Sequence, residues 1–440
     1  MKQIFLNFLA LGVCLIIGVY VRAQSVTISG EIRPRYEFRH GYKTLIPDDA
    51  KPAHFISQRT RLNVFFANET FKAYLSLQDV RVWGDVDQLN VQDANGFGVH
   101  EAWGEIRISD LLSLKVGRQE VAYDDERIFG AVGWAQQARS HDAALVKLSF
   151  NETHKVDVGL GYNAMRESLF REDYTNANYK AIQWIHYHGS FDNSGLSVLF
   201  LNNGIEYDSD PDPAVTDEKI SYSQTIGARY TTVIKKITAD AALYYQGGKN
   251  GGHNDLSAVY FSLNVIGNLT DAFSLGVGTE YFTGTSTVDQ NTSGATDHSF
   301  SPFYGTNHKF NGLMDYFFVG NYAGQNGLVD IYVPLALKVK KWTFGLRPHY
   351  FLAAATVSTL DQNNQVIQDY SNGLGAEIDI VGQYVISRSV NIAGGYSQMF
   401  ATETMQVVKY PANPGGAYYK NSNNWAWLMV TIKPTFFNKE

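Results

Sequence analysis

Residues 30–39, GEIRPRYEFR, place Ile32, Pro34, Tyr36 and Phe38 at every second position, with Glu31, Arg33, Arg35, Glu37 and Arg39 between them. Strict two-residue alternation is the signature of a strand with two unlike faces. A face crowded with arginine has no place in a dry core, where unpaired charges cost several kcal/mol each. The strand therefore needs water on one side and an apolar medium on the other. Pro34 is the one misfit, because proline removes a ladder donor and prefers edges or bulges.

The same alternation recurs to the C-terminus. SQRTRLNVFFA sets Arg59, Arg61 and Asn63 against Thr60, Leu62 and Val64, and LSAVYFSLNVIG, KWTFGLRPHYF and AEIDIVGQYVI follow suit. Beyond residue 24 no run of about 18 apolar residues exists, so no transmembrane helix is available. Strands are predicted near 26–38, 57–67, 71–81, 99–108, 113–121, 141–150, 154–162, 179–190, 194–203, 221–231, 236–247, 256–267, 271–283, 328–338, 341–354, 373–386, 389–400 and 424–436. Links after even-numbered strands are tiny (ANET, SDLL, NET, FDN), whereas 39–56, 122–140, 204–220, 284–327 and 401–423 are long and polar. This pattern predicts an all-β chain: a single transmembrane antiparallel β-barrel of about 18 strands, with short periplasmic turns and long extracellular loops. A sandwich or propeller would show a blade or domain period, and none is present. A soluble barrel would have to bury the arginine face.

The N-terminus reads as a signal peptide, residues 1–23. Lys2 is followed by an apolar core, IFLNFLALGVCLIIGVYV, and by small residues Val21 and Ala23 before the expected cut. A membrane-anchoring helix is the alternative. Cys14, the single cysteine, lies inside that core and is followed by a long apolar run, unlike a lipid-modified cysteine. Residues 24–440 then form the barrel, without disulfide or thiolate chemistry. The destination is the bacterial outer membrane, with lipid, lipopolysaccharide and the barrel assembly machinery as partners. The last strand, NWAWLMVTIKPTFF, puts Leu428, Val430, Ile432 and Phe436 on one face and ends aromatic, as such substrates do. A net charge of −7 gives no sign of nucleic-acid binding.

Function then depends on the lumen lining, since a barrel this wide leaves a channel unless loops enter it. By parity the inward cations are Arg33, Arg35, Arg59, Arg61, Arg107, Arg229 and Arg347, with Lys115, Lys147 and Lys433; inward acids are Glu37, Glu101 and Glu105. Rings of cations favour anions. The acidic stretch YDSDPDPAVTDE is read as solvated loop, with a lipopolysaccharide-bridging role as its alternative. The 284–327 loop is long enough to fold inward, which would bring His308 and Lys309 to the solute. His186 and His188 share a strand face without an identifiable third ligand, and neither G-x-S-x-G nor HExxH occurs. No enzyme activity, metal or cofactor is expected. A plugged, energised import receptor is excluded, because the first strand begins at the expected cut.

The ordered set GEIRPRYE, RTRLNV, QDVRVWGD, HEAWGEI, LKVGRQEVAYDDERIFGAVGWAQQARSHDA and YGTNHKFNGLMDYF resembles the alginate-export outer-membrane porin family across nearly the whole mature chain. The resemblance implies an 18-stranded monomer whose arginine-rich constriction passes an anionic uronate polymer. Matching positions are Arg59, Arg61, Arg118, Gln119, Arg127, Arg139 and Asp142. Arg118 shares parity with Leu114 and Val116, so alternation alone points it at lipid; either a bulge reverses the face or the residue sits above the membrane. Arg127, Arg139 and Asp142 belong to a loop network that either selects solute or only fixes the loop. The expected function is passive passage of anionic solutes, polyuronate such as alginate among them, through an arginine-lined constriction; the alternative is a barrel closed by its loops, acting in structure or adhesion.

Overall fold

The computed structural model describes residues 25–89, 96–176, 178–209, 217–306, 308–318, 325–410 and 419–439. The expected signal peptide, residues 1–23, and residues 210–216 of the acidic stretch lie outside the described residues. The strands are β1 (Ser25–His40), β2 (Ala53–Ala67), β3 (Phe71–Val82), β4 (Gly98–Arg107), β5 (Leu112–Gln119), β6 (His141–Ser149), β7 (His154–Tyr162), β8 (Ala181–Phe191) and β9 (Ser194–Asp208). They continue as β10 (Glu218–Ile234), β11 (Ile237–Lys249), β12 (Asp255–Asn268), β13 (Phe273–Phe282), β14 (Leu328–Tyr332 with Leu335–Val339), β15 (Trp342–Leu352), β16 (Gly373–Ser387), β17 (Val390–Ala401) and β18 (Ser422–Ile432 with Thr435–Lys439). Each pairs antiparallel with the next, and β1 pairs with both β2 and β18, so the sheet closes on itself.

The outer face is apolar and exposed. Ile32, Leu62, Ile226, Leu243, Val277 and Ile380 are each about two-fifths or more open, a belt that would be a liability in water and is solvated by lipid. The inner face is polar and buried, with Glu31, Arg33, Thr225, Gln246, Asp330 and Glu377 all below one-tenth exposed. Polarity is inverted relative to a soluble barrel, as the alternation predicts.

Two prolines interrupt the staves. Pro334 splits β14, and Pro434 splits β18, yet the chain passes through each: Gly276 donates to Pro334 O and Gly30 to Pro434 O, both at 2.9 Å. Pro34 keeps its register against Gln58 of β2. On its other side the ladder with β18 stops after Ile32↔Ile432 and resumes at Arg35↔Met429. The missing N–H costs pairing there without shifting the register.

Three features depart from the sequence reading. β9 and β10 run further than expected, pairing Tyr207 with Lys219 and Asp208 with Glu218, because backbone hydrogen bonds continue after the apolar alternation ends. A small hairpin, Ser358–Leu360 with Val366–Asp369, stands in the loop after β15. Two short helices also form in loops, α1 (Thr287–Gln290) and α2 (Glu403–Lys409). Each has its N-cap, Ser286 and Thr402, but neither is long enough to show a helical period.

The lumen as candidate functional site

Two loops turn inward. The 120–140 loop, between β5 and β6, crosses the lumen; the 283–327 loop, between β13 and β14, meets it there. They zip together through backbone bonds, Gly130 N to Tyr304 O (2.8 Å) and Thr306 N to Glu126 O (2.9 Å), and through Arg139, whose Nη1 donates to Gly305 O at 3.0 Å. Contact is tight enough that a Cβ on Gly305 would lie 2.2 Å from Arg127 O. Phe129, 1% exposed, packs between Trp184 and Tyr304. Burying that ring stabilises the docked loop by about 1.5–3 kcal/mol.

The arginines of β1 and β2 hold the loop from the opposite wall. Arg33 donates from Nη1 to Gly133 O at 2.7 Å and from Nη2 to Trp134 O at 3.1 Å, and also reaches the Gln136 side chain. Arg35 donates to Trp134 O at 2.7 Å and lies 3.9 Å from the centre of that indole. Arg59 bonds Glu31 at 2.7 Å and reaches the carbonyls of Ala135 and Gln136. Glu37, fully buried, binds Arg35 and Arg39 at 2.9 Å each. Arg33, Arg35 and Arg59 are therefore engaged with loop backbone, 4–7% exposed, rather than presented to open solvent.

The far end of the loop is tied as firmly. Arg127 pairs with Glu280 of β13 and lies 3.6 Å from the Phe310 ring centre. Asp124 bonds His186 at 3.0 Å and Ser197 at 2.5 Å. Burial alone would raise the Asp124 carboxyl, but the hydrogen bonds from His186 and Ser197 and the charge of Arg229 hold it below the usual carboxylate range. Arg229 pairs with Asp240 and approaches Asp125 at 3.7 Å. Burial lowers the Arg139 guanidinium from its ordinary range. The 283–327 loop docks on β16, with Leu313 N bonded to Asp379 (3.1 Å) and Met314 N to Glu377 (2.8 Å). Gly312, at φ +84°, fits beneath it: a Cβ would meet the Glu377 carboxylate at 2.7 Å.

The remaining expected residues divide. Arg61 bonds Gln78 at 3.1 Å and lies 4.0 Å from Glu120. Glu101 accepts from Trp103 Nε1 and Glu120 N, both at 3.0 Å. Glu105 binds Lys72 (3.2 Å) and Lys147 (3.0 Å) at the periplasmic end. Lys309 comes within 3.7 Å of Glu126 and stays 44% exposed in the lumen, whereas His308 is buried, stacked on Trp134 and bonded to Asp315. Arg118 and Asp142 are the exception. They pair at 2.9 Å with side chains 42% and 63% exposed, in register across β5 and β6 and on the parity of Val116 and Val146. No bulge reverses the face, so this pair sits on the outside of the wall and is removed from the expected pore lining. Trp134 and Gln136 are lumen residues that alternation misses, because both lie in a loop; the GAVGWAQQAR stretch was their signal.

Two recesses flank the loops, and another lies at the periplasmic end. The outer vestibule, about 700 Å³, is lined by Arg35, Arg39, Lys43, Arg81 and Arg139 against Glu37, Asp85 and Asp315, with Tyr42, Phe55 and Trp134 as aromatic surfaces. Arg39 stands over the Tyr42 and Phe55 rings at 4.3 and 4.6 Å. A periplasmic recess of about 530 Å³ carries Lys72, Arg107, Lys147 and Lys155 with Glu69, Glu105, Asp110 and Asp157. A third, about 390 Å³, lies under the 283–327 loop and carries Lys309 and Arg347.

The alginate-export family model matches residues 24–409. No curated protein matches significantly. Among solved structures the chain is similar to Pseudomonas aeruginosa OpdK, determined with vanillate, at 9% identity over 93% of this chain and 99% of that one, TM-score 0.58. It is likewise similar to Pseudomonas aeruginosa OccK11 (OpdR), at 12% identity over 94% and 96%, TM-score 0.57. At these identities the likeness is one of fold. With a closed barrel, an apolar outer belt and a family match over most of its length, the chain belongs to the alginate-export family and is a β-barrel of the bacterial outer membrane.

Proposed function

We propose that the protein is a monomeric channel for passive passage of anionic solutes, polyuronate among them. The observation that supports this reading is the outer vestibule, where five cationic side chains face three acidic ones beside Tyr42 and Phe55. Arg39 and Arg81, 32% and 29% exposed, are the groups a carboxylate meets first. Guanidinium binds carboxylate in a planar fork, while an adjoining aromatic face suits the flat side of a sugar ring. Passage needs such contacts to be weak and repeated, and Lys309, Arg347 and the periplasmic lysines offer later positions. Lipopolysaccharide around the wall and the assembly machinery at insertion are the partners this reading implies.

A second reading, a barrel shut by its loops and serving structure or adhesion, draws support from the arginine latch on residues 133–136. Single-channel recording in a planar bilayer under a KCl gradient separates the two. An open channel with chloride preference, reduced by Arg39→Ala with Arg81→Ala, is expected. Folded protein that leaves the bilayer closed would establish the second reading instead, and cation preference would overturn the assignment of the vestibule as the selective element.

A further inference from the structure

Arg347 on β15 faces the lumen, and its register partner on β16 is Asp379. That acid is occupied elsewhere. Its Oδ2 accepts the Leu313 amide at 3.1 Å, its Oδ1 accepts the Ser397 hydroxyl at 2.5 Å, and His349 Nε2 stands 3.6 Å away. Among the described residues Arg347 has no ion pair or hydrogen bond; its one neighbour of note is the Tyr332 ring, 5.8 Å from the guanidinium carbon. It lines the 390 Å³ recess together with Lys309, His308, Ser274 and Asp379, and the other side chains of that wall are apolar, Ile266, Leu313, Pro334 and Val381 among them. The one acid lining this recess, Asp379, already accepts on both oxygens, whereas in the outer vestibule Glu37 pairs directly with Arg35 and Arg39.

We infer that this recess is a binding site for a small carboxylate with an apolar body, held by Arg347 and Lys309 at its charged end and by Ile266, Leu313, Pro334 and Val381 along its length. The volume lies within the range of small-ligand pockets. A planar guanidinium without a partner is ready to take a carboxylate through two parallel bonds. The apolar wall selects against sugar acids of the same charge, because ring hydroxyls placed there lose water and find no partner. The inference rests on the anion-channel reading and narrows it: the periplasmic half of the lumen suits a different solute from the outer vestibule.

Calorimetric titration of the folded protein in detergent tests this, with benzoate as probe and benzamide and glucuronate as controls. Benzoate is expected to bind saturably and at least tenfold more tightly than either control, and Arg347→Gln is expected to lose that preference. Ala336→Glu places a carboxylate in the recess while keeping Arg347, and should abolish benzoate binding as well; retention of the heat-modifiable gel shift shows that each variant folds. No saturable benzoate binding, equal binding of glucuronate, or benzoate binding unaffected by both variants overturns the site. Conductance of the same preparation separates the two failures: an anion-selective channel without benzoate binding refutes the recess alone, and benzoate binding without conductance refutes the channel reading alone.

Discussion

Arg33 is legible in the sequence as an inward cation and illegible as to what it touches. Alternation gives the face, but the partner is a carbonyl group some hundred positions away in a loop whose path no periodicity records. The same holds for Arg35 and Arg59, so residues expected to meet solute are engaged in holding Gly133 to Gln136. Arg33→Ala removes one partner from a buried charged network, a loss of about 3–5 kcal/mol. The expected outcome is a loop cleaved faster in limited proteolysis and a noisier, larger conductance. Arg118→Ala is predicted to do neither. Its exposed pair with Asp142 contributes about 0–1 kcal/mol, so bilayer recordings of that variant should match the parent in both conductance and reversal potential. Family motif and alternation disagreed at Arg118, and alternation gave the correct face.

The strands were nearly all readable because each satisfies two solvents at once, a demand that leaves its mark at every position. Loops answer to no such demand. That the 283–327 loop could fold inward was visible from its length, but not that Tyr304 and Thr306 would pair with the backbone of the 120–140 loop. Gly305→Val forces a side chain into Arg127 O and should separate the two loops, roughly doubling conductance if they narrow the path; unchanged conductance would place the narrowest point elsewhere. α2 adds a pH dependence. Lys409, buried against Phe317 and bonded to Tyr316 O, has its ammonium lowered by burial to about 7 from 10.5. Between those values the unfolded chain holds the extra proton, so docking of this segment strengthens as pH rises from 7 towards 10.5 and is weakest below 7. Hydrogen exchange of 403–409 measured across that range should slow with pH once the intrinsic rate is divided out. Lys409→Met should flatten the trend.

A cylinder of strands has no edge, yet it has a place where its two ends meet. Here that place is the β1–β18 join, where Pro34 leaves the ladder unpaired between Ile32 and Arg35 and Pro434 breaks the opposing strand. Between β10 and β11, by contrast, the register runs unbroken from Ser223 to Ile234. A disulfide between the register partners Tyr36→Cys and Leu428→Cys should therefore raise the thermal transition, while one between Tyr230→Cys and Ala241→Cys should leave it near the parent value. Equal shifts from both would show that the join is no weaker than the rest of the wall. The two prolines give the molecule a parting line along its length. Heat or force should open it as a slit running between the first strand and the last, with the other seventeen ladders still intact when lipid or water first enters from the side.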